Sequence, residues 1–381
     1  MSLNTEKSTD KIREYEAAET TMGNHLSTPQ FLIEEGVLKK YNGNAADIVI
    51  PEGVTEIEKG AFDGCTGIKS IVFPAGVTVI PERLLAGCRT LQKIVLPDTL
   101  RVICFDAFSA TPITELVIPE GTERIEASAF EGCHLLASVT FPQSLTYLGG
   151  FDGCHSLRGI KFPHNLRTIN GFKGCSSLRN IVIPAGVAEV QGFDGCVGLR
   201  HVTLPDGLTV LRGFDGCPAL EDINLPDSLK TIGGFCGCFS LREVRIPKST
   251  THLSGFNGCK HLRTVTFPEG LTHLSGFRSC TEIEEIVLPS TLTHLRGFDD
   301  CAALKTAELP DGLQHLDGFT DCVSLTEITI PDSVTDIGYG AFENCTSLRE
   351  VTVPERMADL EEGLFDGCVN LMHITLTCLT A

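Results

Sequence analysis

The residues best suited to chemistry in this sequence are cysteines, and they recur at regular intervals. Thiols one repeat apart could hold a metal ion or pass electrons, but a zinc site needs its ligands clustered in a tetrahedron. Because Leu and Phe flank each position, we interpret the row as small buried hydrophobic residues. Cys236 lies outside the row, where other repeats carry Asp or Asn, so we expect an exposed thiol that labels readily. Fourteen of the 17 cysteines share the row: Cys65, Cys88, Cys133, Cys154, Cys175, Cys196, Cys217, Cys238, Cys259, Cys280, Cys301, Cys322, Cys345 and Cys368.

A second row consists of histidines spaced by 21 residues: His252, His273, His294 and His315. Four imidazoles on one open face could bind a transition metal or titrate together near about pH 6. A row of solvated polar side chains explains the same spacing without any function. Metal binding is therefore a weaker alternative with these four candidate ligands, and we expect no cofactor.

A third row is basic and precedes the predicted strands: Arg158, Arg179, Arg200, Arg242 and Arg263. Arg is enriched among the residues that dominate protein interfaces, so this row predicts a partner-binding surface. Duplication of one parent repeat could equally have copied an Arg without a role. Outward strand residues that break the repeat complete the candidate binding set, and the column Val72, Val95 and Val117 forms a possible second contact patch. The full set is Arg158, Lys161, Arg179, Arg200, His201, Asn224, Arg242, Arg245 and Arg263.

Composition limits the function classes. The net charge of −19 argues against nucleic acid and anionic membranes as partners. The sequence contains no zinc-protease, phosphate-binding-loop or Ser-His-Asp pattern, so we expect no enzymatic activity. It also contains no apolar run long enough to insert in a membrane and no secretory leader, which predicts a cytoplasmic monomer with a protein partner. A cell-surface or secreted location is the alternative if a leader is missing from this sequence.

The elements that position these rows are repeats. Prolines recur every 21 residues from Pro142 to Pro331, which is typical of a leucine-rich solenoid. Leu199, Val202 and Leu204 are spaced so that they face a core along a short strand that ends at Pro205. We therefore predict a right-handed leucine-rich-repeat superhelix, mostly β and turn, with a parallel β-sheet on its concave face. Nine glycines that each precede a Phe, such as Gly213, predict a positive φ or a close approach of the backbone.

Three regions follow from these patterns. Residues 1–30 carry no repeat and are expected to form a mobile tail. Residues 31–50 alternate and turn like capping strands. Residues 51–381 form the solenoid, with units of 21 residues within 142–331 and units of about 23 residues at both ends.

Two of the longer units resemble a known family. The segments IPEGVTEIEKGAFDGCTGIKSIVF (50–73) and IPDSVTDIGYGAFENCTSLREVTV (330–353) look like BspA-type (Treponema-type) leucine-rich repeats. The resemblance implies adhesion or binding of host and matrix proteins, generally at cell surfaces, and no catalytic residues in the repeat. We interpret the chain as a non-enzymatic protein-binding scaffold that uses its concave face. The alternative is a bacterial cell-surface adhesin.

Overall fold

The computed structural model of the chain describes residues 30–355 and 363–377. The mobile tail predicted for residues 1–30 therefore lies almost entirely outside the described residues. The described residues fold into a β-solenoid in which every turn carries short strands joined by tight turns, without an α-helix. All strand pairs between turns are parallel, as the proline period predicts.

One column of strands immediately precedes the prolines, and we call these the front strands. Two outward positions flank one buried residue in most of them, as in His201–Thr203. The front strands are Asp47–Val49, Ser70–Val72, Lys93–Val95, Glu115–Val117, Ser138–Thr140, Asn180–Val182, His201–Thr203, Asp222–Ile223, Glu243–Arg245, Thr264–Thr266, Glu285–Val287, Thr306–Glu308, Glu327–Thr329, Glu350–Pro354 and His373–Thr377.

A second column lies after the prolines, and we call these the rear strands. Each has two residues, of which the first points outward and the second into the core. The rear strands are Glu56–Ile57, Val79–Ile80, Val102–Ile103, Arg124–Ile125, Tyr147–Leu148, Thr168–Ile169, Glu189–Val190, Val210–Leu211, Thr231–Ile232, His252–Leu253, His273–Leu274, His294–Leu295, His315–Leu316 and Asp336–Ile337.

The two columns differ in continuity. Rear strands from Val79–Ile80 to Asp336–Ile337 form one 13-stranded sheet, whereas the front strands divide into separate ladders of two or three. Lys161 was predicted to be an outward residue of a front strand, and this prediction is wrong because residues 159–161 form no strand. Gly159 supplies no side chain to pack against the neighbouring turns, which weakens the strand at that point.

Stacked phenylalanines form the centre of the solenoid. Rings on successive turns lie almost parallel with centroids 5.0 to 5.9 Å apart. Offset-stacked pairs contribute about 0.5–1.5 kcal/mol each beyond the burial of their area. The stack therefore couples each turn to both neighbours.

The cysteine row is internal, as predicted. Twelve of the fourteen are buried, and Cys65 and Cys368 near the two ends are partly buried. Between Cys154 and Cys345, each thiol donates to the carbonyl oxygen of the core Phe of the preceding turn at 3.2 to 3.4 Å. Burial raises the pKa of the Cys217 thiol to about 12. These cysteines therefore connect adjacent turns as neutral donors.

The nine glycines that precede a core Phe in the 21-residue units have the predicted positive φ and close contact with a neighbouring turn. Gly213 has φ +81°, and a Cβ there would lie 2.4 Å from the backbone nitrogen of Gly192. Only glycine permits this approach, because an L-residue would be strained at that φ and would also collide with the next turn.

An antiparallel hairpin begins the described stack. Its strands are Phe31–Glu34 and Val37–Tyr41, and the second pairs in parallel with the first rear strand, Glu56–Ile57. Glu35 and Gly36 both have positive φ, which suits the tight turn between the strands. The hairpin covers the edge that this rear strand would otherwise expose.

Candidate functional site

The front strands carry the predicted binding residues. All nine are exposed. Five precede the front strands or residues 159–161, one per turn, and the others are outward residues within a front strand, directly after one or in residues 159–161. The residues are Arg158, Lys161, Arg179, Arg200, His201, Asn224, Arg242, Arg245 and Arg263.

Two of the arginines are paired within the chain. Arg200 Nη1 lies 3.0 Å from Glu221 Oε1 on the next turn. Arg263 Nε lies 2.7 Å from Glu282 Oε2, and the hydrogen bonds that His261 and Arg263 donate lower the pKa of that carboxyl. These carboxylates compensate part of the predicted basic row.

Two further candidates also make internal contacts. His201 Nδ1 lies 3.1 Å from Asp222 Oδ1 on the next turn. Arg179 Nη1 donates to the carbonyl oxygens of Ser176 and Leu178 at 3.0 and 3.1 Å. The Arg179 charge has no carboxylate partner in the described part of the chain, whereas His201 has the carboxylate of Asp222 as its partner.

The remaining candidates make no side-chain hydrogen bond or ion pair with any described residue. They are Arg158, Lys161, Asn224, Arg242 and Arg245. Unpaired exposed cations can pair with a partner without first breaking an internal contact, so the three arginines and Lys161 of this group are the best placed of the nine to do so.

Apolar side chains alternate with the charges on the same face. Val117, Val182 and Val287 are 66%, 61% and 71% exposed at the last position of their front strands. The predicted second patch is only partly present, because Val72 and Val95 are partly buried. Val287 was missed as a candidate, and its signal in the sequence is its place two residues before Pro289.

The four histidines form a stack on the rear sheet. Their ring centroids lie 5.9, 4.3 and 4.3 Å apart along the row, with nearly parallel planes. Parallel rings direct their nitrogens side by side, whereas a metal requires them to converge. No group of three or more His, Cys, Asp or Glu in residues 30–355 and 363–377 has a metal-binding arrangement.

Hydrogen bonds determine the tautomer of one histidine in that row. Thr293 Oγ1 donates its proton to the carbonyl oxygen of Thr272 at 3.0 Å. His294 Nδ1 lies 2.9 Å from the same hydroxyl and must therefore donate to it. Partial desolvation, with the charges of His273 and His315, lowers the pKa of His294.

Cys236 differs from its prediction. The side chain is partly buried rather than exposed. Burial raises the pKa of this thiol, and the Asp215 carboxylate raises it further. Since the thiolate is the form that reacts, ready labelling at neutral pH is not expected.

No helix in the described residues is long and apolar enough to cross a membrane. This finding concerns helices within that part of the chain.

Comparisons with known proteins identify the repeat. A family model for the BspA type leucine-rich repeat region (6 copies) matches residues 33–150, 102–213, 212–318 and 317–380. A leucine-rich repeat protein from Bacteroides ovatus is 24% identical with a TM-score of 0.69, over 92% of this chain and 91% of that one. A leucine-rich repeat protein from Eubacterium ventriosum is 21% identical with a TM-score of 0.52, over 81% of this chain and 87% of that one. A comparison with curated proteins found no match. The two solved structures confirm the predicted leucine-rich-repeat fold.

Proposed function

Since the chain belongs to the BspA-type leucine-rich repeat family, we propose that it is a non-catalytic scaffold that binds a partner protein through its front face. The observation that carries this proposal is the row of exposed, internally unpaired cations at Arg158, Arg242 and Arg245, with Val182 exposed on the same face. Arg side chains beside apolar contacts are typical of the residues that dominate protein interfaces.

The front face suits binding better than the rear face because its strands are longer and present more outward side chains per turn. A three-residue front strand such as Asn180–Val182 presents two outward side chains per turn, and the preceding residue adds a third. A rear strand such as Thr231–Ile232 presents one. From Arg158 to Arg245 the face spans five turns, or about 20 Å at the spacing of parallel strands. At three outward side chains per turn these five turns supply fewer than the roughly 20–30 residues that a standard interface takes from one partner, so we expect the contact to extend onto the neighbouring turns.

Affinity capture from the source organism tests the proposal with two matched charge reversals. The front variant is R158E/R242E/R245E, and the control variant R212E/K230E/R278E changes three exposed cations elsewhere on the solenoid. We expect the front variant to lose captured proteins that the wild type and the control retain. Equal capture by all three proteins would show that the partner binds another surface.

Hydrogen exchange of the purified complex then locates the contact. Protection of the front strands between residues 158 and 245 is expected. Protection confined to the rear sheet would contradict the assignment.

A further inference from the structure

The charge of this acidic chain reverses in one segment. Residues 132–188 contain five Lys or Arg and a single acidic residue, Asp152, although the whole chain has a net charge of −19. Three of the five cations lie on the front face, at Arg158, Lys161 and Arg179. None of the three is paired with a carboxylate of the described residues.

Carboxylates do not approach this part of the front face along the strands. The neighbouring front strands Ser138–Thr140 and Asn180–Val182 contain no acidic residue. Farther along, Glu221 and Asp222 already pair with Arg200 and His201. Arg158, Lys161 and Arg179 thus form a locally uncompensated positive surface.

The front ladder is interrupted at the same place. Residues 158–161, which we call the strand gap, are the only turn of the front column without a strand in the described stack. None of the backbone N–H or C=O groups of these four residues makes a hydrogen bond to a described neighbouring turn. The strands Ser138–Thr140 and Asn180–Val182 end separate ladders on either side of the gap.

Residues 158–161 lie within the stack, between the turns of Ser138–Thr140 and Asn180–Val182, so a partner meets their outward side chains and not a free strand edge. Gly159 leaves space on this outer surface, because a Cβ added there would have no atom within 4 Å. Val182, 61% exposed on the adjoining strand, supplies an apolar contact beside the cations.

We propose that the strand gap and its three cations are the docking site for an extended acidic segment of the partner protein. Its carboxylates pair with Arg158, Lys161 and Arg179, it passes over the space that Gly159 leaves, and an apolar side chain contacts Val182. The inference rests on the proposed function and specifies the chemistry of the partner. Charge complementarity favours a short acidic segment over a long polyanion, because the rest of the acidic chain repels the latter.

A synthetic peptide of alternating Glu and Val, labelled with a fluorophore, is the probe for this site. Alternation places all its carboxylates on one side of a strand. We expect the full chain to bind it in an anisotropy titration and to bind a matched Gln–Val peptide at least about tenfold more weakly, since three surface ion pairs are lost. Added salt should weaken the first interaction. Equal affinity for the two peptides, or no binding of either, would overturn the proposal.

Two variants separate the charges from the space at Gly159. R158Q/K161Q/R179Q should bind the Glu peptide about tenfold more weakly than the wild type, while R212Q/K230Q/R278Q should bind normally. G159V keeps every charge but fills the open space in front of Gly159 with a branched side chain, and should also weaken binding several-fold while leaving the fold intact. Equal losses in the two triple variants, or unchanged binding by G159V, would contradict docking in the gap.

The outcome is distinguishable from that of the proposed function. A natural partner lost by R242E/R245E but retained by R158Q/K161Q/R179Q would disprove docking in the gap and leave front-face binding intact. Loss of the partner in neither variant would count against both.

Discussion

Single carboxylates connect adjacent turns beside the phenylalanine stack. Asp152 Oδ1 accepts the Lys173 N–H at 2.7 Å, and Asp194 Oδ1 accepts the Asp215 N–H at 3.0 Å. Burial raises the pKa of both carboxyls, and for Asp194 the neighbouring Asp215 raises it further. At the same place three turns after Asp194, Asn257 Oδ1 accepts the Arg278 N–H at 2.9 Å. A neutral amide therefore makes the same bond without the unfavourable charge.

This equivalence predicts that D194N stabilises the protein at pH 7 by up to about 0.5 kcal/mol. The raised pKa means that the folded state holds the Asp194 proton more tightly than the unfolded state, so the destabilisation by this group is relieved as pH falls. The gain from D194N in urea unfolding should consequently shrink between pH 7 and pH 4. The reverse change N257D serves as the matched control and should destabilise at pH 7. A destabilised D194N would show that the negative charge itself strengthens the bond to the Asp215 N–H.

Two glycines separate the cost of backbone conformation from the cost of a collision. Gly207 and Gly213 both have positive φ, but a Cβ on Gly207 would meet nothing within 4 Å and one on Gly213 would meet the Gly192 nitrogen. We expect G207A to cost about 1–2 kcal/mol in thermal or urea unfolding and G213A to cost clearly more. Equal losses would mean that the turns separate easily and that φ alone selects glycine.

The residue patterns could be predicted from the sequence where they depend only on whether a side chain points into the core or away from it. The inward Cys row, the core Phe row and the glycines before Phe all follow from spacing. The ion pairs of Arg200 and Arg263 could not be predicted, because they depend on the rotamers of side chains on different turns. The partial burial of Cys236 likewise depends on how closely Asp215 and Asn257 lie above and below it.

Among the elements, the histidine stack on the rear sheet has a consequence for pH stability. The rings of His273 and His315 lie 4.3 Å from the ring of His294 on either side, so a charge on either neighbour disfavours protonation of His294. The lowered pKa of His294 means that the unfolded chain binds this proton more readily than the folded one. Stability contributed by the neutral ring is therefore present above the unfolded pKa near about 6.5 and is lost as pH falls from there through the lower folded pKa.

H294Q should remove part of this pH dependence. Between pH 7.5 and pH 5.5 we expect the melting temperature of the wild type to fall further than that of H294Q. The exposed His164, whose ring is not stacked, provides the control H164Q, which should behave like the wild type. Parallel pH profiles for all three proteins would show that the stacked rings do not repel one another measurably.

The elements themselves were predictable except for the continuity of the front sheet. Front and rear strands follow from the alternation around each proline, and the hairpin at Glu35–Gly36 follows from its turn residues. The breaks between front ladders could not be predicted, because a hydrogen bond between turns fails after small changes in spacing that accumulate along the stack. Gly159 is the one local signal, and it coincides with the strand gap.

At the scale of the whole molecule, a solenoid joins each turn only to its neighbours, so a disturbance should fade along the stack. The hairpin is the place to test this, because Tyr41 fixes it to the first turns. Tyr41 is 2% exposed and contacts Phe31 and Phe62, with ring centroids 5.0 and 5.6 Å away. Its hydroxyl oxygen also accepts the Ala45 N–H at 3.0 Å.

Removing this side chain should loosen one end of the molecule and leave the other unchanged. Y41A deletes a buried ring worth about 3–5 kcal/mol, and its neighbours lie only in the first turns. Native-state hydrogen exchange in Y41A should therefore be faster than in the wild type at residues 37–103. The difference from the wild type should become smaller through the next turns and be absent near His294. I374A, at a side chain 48% exposed on the last front strand, is the control and should leave residues 37–103 unchanged. Uniform acceleration of hydrogen exchange throughout the chain in Y41A would show that the stacked phenylalanines couple all turns into one cooperative unit. In that case, a partner bound at the front face would stabilise the rear sheet along its whole length.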